Sequence, residues 1–188
     1  MSPFPTLALL CALTVSACGS TTTTLPPGTV TTAEFGDRKP FEWTGRAPKH
    51  YAVHGIDVAR FQQPLNWATA RASGVNFAFI KATEGGDFID PMFSDHWSGA
   101  GQAGVARGAY HFYYFCSSPE KQARWFIANV PKTAGMLPPV LDMEWNPFSP
   151  TCTVRPPAEV VRQHAASFLS ILKAHYGQQP IVYTTPQF

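Results

Sequence analysis

The chain has 188 residues, of which 45% are hydrophobic and 13% aromatic, which is enough apolar material for the core of one domain. Its formal net charge of +2 is scattered along the sequence and forms no basic stripe, which argues against a nucleic-acid-binding surface. Aromatic residues without such a stripe suit the stacking of carbohydrate rings, although aromatic side chains serve the core first.

The first residues have the pattern of an export signal. An apolar run from Leu7 to Val15 is too short to cross a bilayer, and Val15-Ser16-Ala17-Cys18 closes it. This closing motif resembles the bacterial lipobox, in which the cysteine is lipidated. We expect residues 1–18 to be a lipoprotein-type signal peptide, with Cys18 as the lipid anchor of a protein in the outer membrane facing the periplasm. A plain signal peptide and secretion are the alternative, because no Lys or Arg precedes the apolar run.

Residues 19–50 separate this leader from the globular part. The first of them are Ser, Thr, Pro and Gly with almost no charge, a composition that cannot build a core. We expect residues 19–50 to be a linker followed by an N-terminal arm, with the folded domain spanning residues 51–188.

From Tyr51 onwards, strand and helix patterns alternate. Helices are predicted over residues 66–73, 92–102, 119–129 and 157–176, and strands over residues 51–58, 76–81 and 180–184, within 105–115, and from Pro138 to the end of the apolar run. Alternation of this kind predicts right-handed crossovers and a parallel sheet, and therefore an α/β fold.

Two carboxylates stand where the fourth predicted strand ends. Asp142 and Glu144 follow Val140 and Leu141, and side chains two residues apart on a strand point to the same face. Two such neighbours cannot both ionise freely, so one pKa should rise. A carboxyl pair with separated pKa values suits the acid-assisted cleavage of an acetal, whereas a solvated strand end is the structural alternative.

Four further motifs give the sequence a family resemblance. Taken in order with the acidic pair, they resemble the glycoside hydrolase family 25 lysozymes, the Chalaropsis-type N-acetylmuramidases. The motifs are Gly55-Ile56-Asp57-Val58 with Phe61-Gln62 and Trp67, Phe79-Ile80-Lys81-Ala82-Thr83-Glu84-Gly85, Asp90 with Phe93, and Gly104-Val105-Ala106-Arg107-Gly108-Ala109-Tyr110-His111-Phe112.

The resemblance implies a TIM-like (β/α) barrel that hydrolyses the β-1,4 bond between N-acetylmuramic acid and N-acetylglucosamine. Glu144 would be the general acid, Asp142 would steer the substrate's N-acetyl group, and Asp57 would line the same pocket. It also implies sugar contacts from Tyr110 and Tyr183, for which a place in the core is the alternative. The family's barrel continues through further strands, so the domain should be incomplete, with about five strands and without its C-terminal part.

The chemistry leaves two routes open. In a substrate-assisted route the 2-acetamido oxygen attacks C1 while Asp142 holds the amide, and in the other route Asp57 acts across the cleft as base or nucleophile. Glu84 could reach the substrate or form a salt link with Lys81. Trp145 could stack on a sugar or pack over its loop.

Two cysteines remain in the predicted domain. Cys116 and Cys152 follow neighbouring strands and should lie in loops at the same end of the sheet, so we expect a disulfide between them. A metal site would have to combine His54, His111, Asp57 and Asp142, but no ligand spacing supports one, and His111 fits an interior histidine better.

The predicted function is therefore that of a monomeric peptidoglycan hydrolase that acts on glycan strands without a cofactor. Two rivals belong to other classes. One is a non-catalytic peptidoglycan-binding lipoprotein derived from such an enzyme, and the other is an unrelated α/β hydrolase acting on a different polysaccharide.

Overall fold

The computed structural model describes residues 29–33 and 42–188. The predicted signal peptide, including Cys18, lies outside these residues, as does most of the linker. The strands are β1 (His54–Val58), β2 (Val75–Glu84), β3 (Phe88–Ile89), β4 (Ala106–Phe112), β5 (Val140–Asp142) and β6 (Ile181–Tyr183). The helices are α1 (Trp67–Ala72), α2 (Phe93–Gln102), α3 (Pro119–Asn129) and α4 (Ala158–Tyr176), and a 3-10 turn spans Pro48–His50.

The sheet is parallel and curved into a half-barrel. Its strands follow the order β1-β2-β4-β5-β6, and each neighbouring pair is parallel. Among the described strands only β3 is antiparallel, and it pairs with the end of β2. The α/β class and the incomplete TIM-like barrel predicted from the sequence are confirmed.

Local sequence signals set the ends of the helices. The side chain of Asn66 accepts the backbone N–H of Thr69 at 3.0 Å and caps α1. Ser118 caps α3, whose first residue is Pro119, a position where the missing N–H costs nothing. Helix α4 stops at Gly177, whose φ of +73° lies in the left-handed region that favours glycine.

The two faces of β2 have different environments. Ala78, Ile80 and Ala82 are fully buried in the core beneath the helices. Phe77 and Phe79 alternate with them and line the concave face instead. The continuous apolar run of β2 therefore packs into the core on one face and lines the cavity on the other.

Strand β2 runs three residues further than the sequence predicted. Its register with β4 shifts between Lys81 and Thr83, so that Lys81 lies opposite Tyr110 and Glu84 lies opposite Phe112. A one-residue irregularity of this kind breaks the simple alternation of a strand. As a result Lys81 and Glu84 share one face of the sheet although they are three residues apart. Strand β3, which the sequence analysis missed, has only two residues.

The described part of the N-terminal segment packs against the amino end of the sheet. Arg71 is almost fully buried, and its guanidinium donates to Thr31 Oγ1 at 2.9 Å and to the backbone oxygen of Thr29. The side chain of Asn76 pairs with both the N–H and the C=O of Thr31, at 2.8 and 3.0 Å. These hydrogen bonds hold residues 29–33 at the amino end of β2, away from the carboxyl ends of the strands. Within the part of the chain that the structure describes, no helix has the length and apolar character to cross a membrane.

Candidate active site

A cavity of about 560 Å³ opens on the concave face at the carboxyl ends of the strands. This volume lies in the range usual for small-ligand sites. Asp57 at β1, Asp142 at β5 and Glu144 just beyond β5 all line the cavity. The three acidic side chains that the sequence singled out therefore face one cavity, because the parallel strands β1 and β5, which are separated by β2 and β4, have their carboxyl ends at the same edge of the curved sheet.

Alternation along β5 explains why the two neighbouring carboxylates face one cavity. Val140, Asp142 and Glu144 line it, whereas Leu141 and Met143 are buried on the opposite side of the strand. Glu144 lies two residues past the last residue of β5, so the alternation continues beyond the hydrogen-bonded strand.

The proximity of Glu144 affects the pKa of Asp142. Burial raises its pKa, and the charge of Glu144 and a hydrogen bond with Glu144 raise it further, to about 7. A hydrogen bond between two carboxyl groups needs a proton on one of them, so the pair shares a proton near neutral pH. Oδ1 of Asp142 is buried and has no hydrogen-bond partner among the described residues. A buried acceptor of this kind suits a donor supplied by a bound molecule.

Both predicted tyrosines line the cavity. Burial, and then the charges of Asp142 and Asp57, raise the pKa of the Tyr110 phenol, so this hydroxyl remains a neutral hydrogen-bond donor. Tyr183, on β6, is about half exposed at the other side of the opening. Neither of them is enclosed in the helix-covered core, which was the alternative place for them.

Two residues predicted to contact substrate do not line the cavity. Glu84 forms an ion pair with Lys81 at 2.6 Å and accepts a hydrogen bond from Tyr114. Burial alone would raise the pKa of Glu84, but these two bonds and the charge of Arg60 hold it below its usual value. The salt link that the sequence offered as the alternative for Glu84 is therefore present.

Trp145 is excluded from the cavity lining by the same alternation that brings Glu144 in. One residue beyond Glu144, it faces the other way and packs on Phe115 and Phe188, with ring centroids 5.5 and 4.5 Å apart. The guanidinium of Arg155 lies 5.5 Å from its ring. The packed arrangement, and not the sugar-stacking one, is the arrangement observed for Trp145.

The loops around the cavity are joined by a disulfide. Cys116 in the loop before α3 and Cys152 in the loop before α4 are bonded, with their Cα atoms 5.8 Å apart, as the sequence predicts. The bond ties the loop that follows Glu144 to the loop that follows β4.

His111 is an interior residue on the opposite face of β4. Its Nδ1 meets Thr83 Oγ1 at 2.8 Å, and its Nε2 meets Gln122 Oε1 at 3.0 Å. Burial lowers its pKa to about 4, which keeps the ring neutral. No three His, Cys, Asp or Glu side chains gather as a metal site within residues 29–33 and 42–188.

Lys81 and Phe61 also line the cavity. The sequence allowed Lys81 to reach the rim of the sheet but favoured a salt link with Glu84; in the structure Lys81 makes this salt link and faces the cavity as well. Phe61 lines the opening with 70% of its surface exposed. Phe61 follows β1 at the same end as Asp57, which is the signal that could have identified it. For Lys81, the strand parity shared with Phe77 and Phe79 would have done so.

Comparison with known proteins assigns the chain to a family. The model of Glycosyl hydrolases family 25 matches residues 56–188. The chain belongs to this family. The resemblance to family 25 that the sequence motifs indicated is thereby confirmed.

Relatives of this family 25 chain include proteins with and without a named activity. The N,O-diacetylmuramidase of Chalaropsis sp. is 34% identical over 143 residues, which cover 72% of this chain and 67% of that enzyme. The uncharacterized protein YegX of Escherichia coli K12 is 35% identical over 159 residues, which cover 82% of this chain and 56% of YegX. A family 25 glycosyl hydrolase from Bacillus anthracis has a similar solved structure, with TM-score 0.70 and 38% identity over 76% of this chain and 64% of that one. The chain thus spans little more than half the length of YegX.

Proposed function

We propose that this family 25 chain is a peptidoglycan hydrolase that cleaves the β-1,4 bond between N-acetylmuramic acid and N-acetylglucosamine. The observation that carries the proposal is the cavity in which Asp142, with its unpartnered buried oxygen, stands beside Glu144. The name of the Chalaropsis relative, an N,O-diacetylmuramidase, supports this choice of substrate. The partner is the glycan strand, and the protein acts as a monomer without a cofactor.

Glu144 is the general acid in this proposal. Glycoside cleavage requires a proton on the departing oxygen and support for an oxocarbenium-like C1. Oδ1 of Asp142 accepts a hydrogen bond from the N–H of the 2-acetamido group, and this bond is stronger when Asp142 is ionised. The proton that the two carboxyl groups share in the free protein then resides on Glu144, from which it passes to the leaving O4.

Support at C1 comes from one of two groups. In the substrate-assisted route the acetamido oxygen bonds to C1 as the C1–O4 bond breaks, and the resulting ring is opened by a water whose proton returns to Glu144. In the alternative route Asp57, which lines the same cavity, supplies the nucleophile or activates the water. Peptidoglycan in which the muramic acid is de-N-acetylated separates them, because only the first route requires the acetyl group.

The decisive experiment measures new reducing ends released from purified peptidoglycan, with mass spectrometry to identify the sugar at each new end. We expect muramic acid ends from the wild type. Replacing Glu144 by Gln should lower the rate by roughly 10²–10⁴-fold, the usual contribution of general acid catalysis. Glu159→Gln is the matched control, because Glu159 lies exposed on α4 in an ion pair with Arg162.

The possible results separate the proposal from its rival. Full activity in Glu144→Gln would reject the assignment of the acid. Retention of the wild type on insoluble peptidoglycan without new reducing ends would indicate the non-catalytic binding lipoprotein.

We further propose that the domain acts in the cell envelope, anchored through lipidated Cys18 in the outer membrane. This rests on the lipobox-like sequence alone, because Cys18 lies outside the described residues. Metabolic labelling with a fatty acid should mark the wild type and not Cys18→Ser, whereas a secreted protein would remain unlabelled in both.

A further inference from the structure

Lys81 is the one cation among the residues described as lining the cavity. Its side chain is almost fully buried, at 8% exposure. The ammonium lies 2.6 Å from Glu84 Oε2 and 4.8 Å from the centre of the Phe112 ring. Burial of an unpaired ammonium is costly, and the contact with Glu84 lowers that cost. The carboxyl groups of Asp57, Asp142 and Glu144, which line the same cavity, also favour a positive charge here.

Glu84 is itself held on several sides. Tyr114 donates its phenolic hydrogen to Glu84 Oε1, and Arg60 lies 3.8 Å from Oε2. The amide of Asn146 donates in turn to the Tyr114 hydroxyl oxygen at 3.3 Å. Asn146 is two residues beyond Glu144, so this chain of contacts joins the buried cation to the segment that carries the proposed acid.

The groups facing Asp142 come from every strand around the cavity. They are Asp57 on β1, Lys81 on β2, Tyr110 on β4, Glu144 beyond β5 and Tyr183 on β6. The charges of Glu144 and Asp57 raise the pKa of Asp142, and the charge of Lys81 lowers it. Lys81 thus favours the ionised form of Asp142 in a site otherwise dominated by negative charge.

We propose that Lys81, clamped by Glu84, is a positioning residue that shifts the proton shared by Asp142 and Glu144 towards Glu144. The proposal rests on the function proposed above, because it assigns Glu144 as the acid. Lys81 takes no part in bond breaking. Its charge prepares Asp142 as an acceptor for the acetamido N–H and leaves the transferable proton on the neighbouring carboxyl group.

The kinetic test compares Lys81→Met, Lys81→Arg and Glu84→Gln by the pH dependence of kcat/KM. Loss of the cation should move the alkaline limb of the pH profile higher by up to about one pH unit and lower kcat by up to about tenfold, because the charge of Lys81 lowers the pKa of Asp142 and a neighbouring opposite charge lowers a carboxyl pKa by about one unit or more only within about 4–6 Å. Lys81→Arg should restore the limb. Glu84→Gln frees the ammonium from its counter-ion, so the limb should move to lower pH. Lys81→Met leaves the Glu84 carboxylate without its ammonium partner. The double variant Lys81→Met with Glu84→Gln removes both charges, and its alkaline limb should also move to higher pH.

A structural role for Lys81 would give a different outcome. It would lower the melting temperature of Lys81→Met and of Glu84→Gln without moving the alkaline limb of their pH profiles in opposite directions. That result would overturn the proposal.

The second readout does not require activity. In protein labelled with ¹³C at the side-chain carboxyl groups, NMR titration reports which carboxyl group of the pair carries the proton. Lys81→Met should shift the proton towards Asp142, and an unchanged distribution would refute the proposal. If the wild type releases no reducing ends while the NMR shift is observed, the proposed function fails and the role of Lys81 in placing the proton stands.

Discussion

Replacing Asp142 by Asn should stabilise the protein at neutral and alkaline pH, although Asp142 lies at the centre of the proposed site. Burial and the nearby Glu144 destabilise the ionised form of Asp142 in the folded state, as its raised pKa shows. Asn has nearly the same shape, carries no charge and can donate a hydrogen bond to Glu144. The substitution therefore removes the electrostatic penalty and keeps the packing.

The magnitude follows from the pKa. A change from the ordinary value of 3.8 to about 7 corresponds to about 4 kcal/mol between the two protonation states, at about 1.4 kcal/mol per pKa unit. Between these pH values the folded state holds a proton that the unfolded chain has released, so the contribution of Asp142 to the stability of the wild type falls as pH rises from about 4 to about 7. The Asp142→Asn variant has no carboxyl group at this position to titrate and would not suffer this fall. We expect the variant to be more stable by up to about 4 kcal/mol at pH 8, or roughly 10 °C in Tm.

The assay is urea or thermal unfolding of both proteins from pH 3.5 to pH 8. The stability difference between variant and wild type should be smallest at the acidic end and grow across the interval from about pH 4 to pH 7. Asp87→Asn is the control, because this exposed carboxylate in the turn before β3 reports the general effect of removing one negative charge. A variant less stable than the wild type at pH 8, or a difference independent of pH, would refute the electrostatic reasoning.

Three further predictions concern parts of the fold outside the acidic pair. Burial lowers the pKa of His111 to about 4, so the contribution of His111 to stability should fall by about 3 kcal/mol as pH drops from 6.5 to 4, opposite in sign to the contribution of Asp142; the stability difference between His111→Gln and the wild type should therefore move in favour of the variant as pH drops across this interval in unfolding curves. Opening the bond between Cys116 and Cys152, which are 36 positions apart, should cost about 3–4 kcal/mol on the chain-entropy model, measurable as a lower Tm with dithiothreitol, and mass spectrometry without reductant should find no free thiol at either position. Arg71→Met should release residues 29–33 to limited proteolysis and cost about 2–4 kcal/mol through its lost charged hydrogen bonds, and a cleavage rate equal to that of the wild type would show that the segment is held by other contacts.

The sequence by itself determined the order of the elements and the face on which the acidic pair stands. Helix caps and breaks, such as Asn66, Ser118 and Gly177, are local signals that need no distant partner. The spacing of Asp142 and Glu144 is likewise sufficient, since alternation along an extended chain sends both side chains into one cavity. The parallel order of the strands then brought Asp57 to the same place.

The tertiary structure decided which of the other polar and aromatic side chains reach that cavity. Glu84 could not be placed from sequence, because the register shift between Lys81 and Thr83 exists only in the pairing of β2 with β4. Alternation turns Trp145 away from the cavity, but the partners on which its ring packs, Phe115 and Phe188, are far from it in sequence. The alternation of side chains along a strand is a local property. The register of the strand, and the groups that each side chain contacts, depend on other segments of the chain. For that reason the acidic pair was predictable, whereas the choice between substrate contact and packing for Glu84 and Trp145 was not.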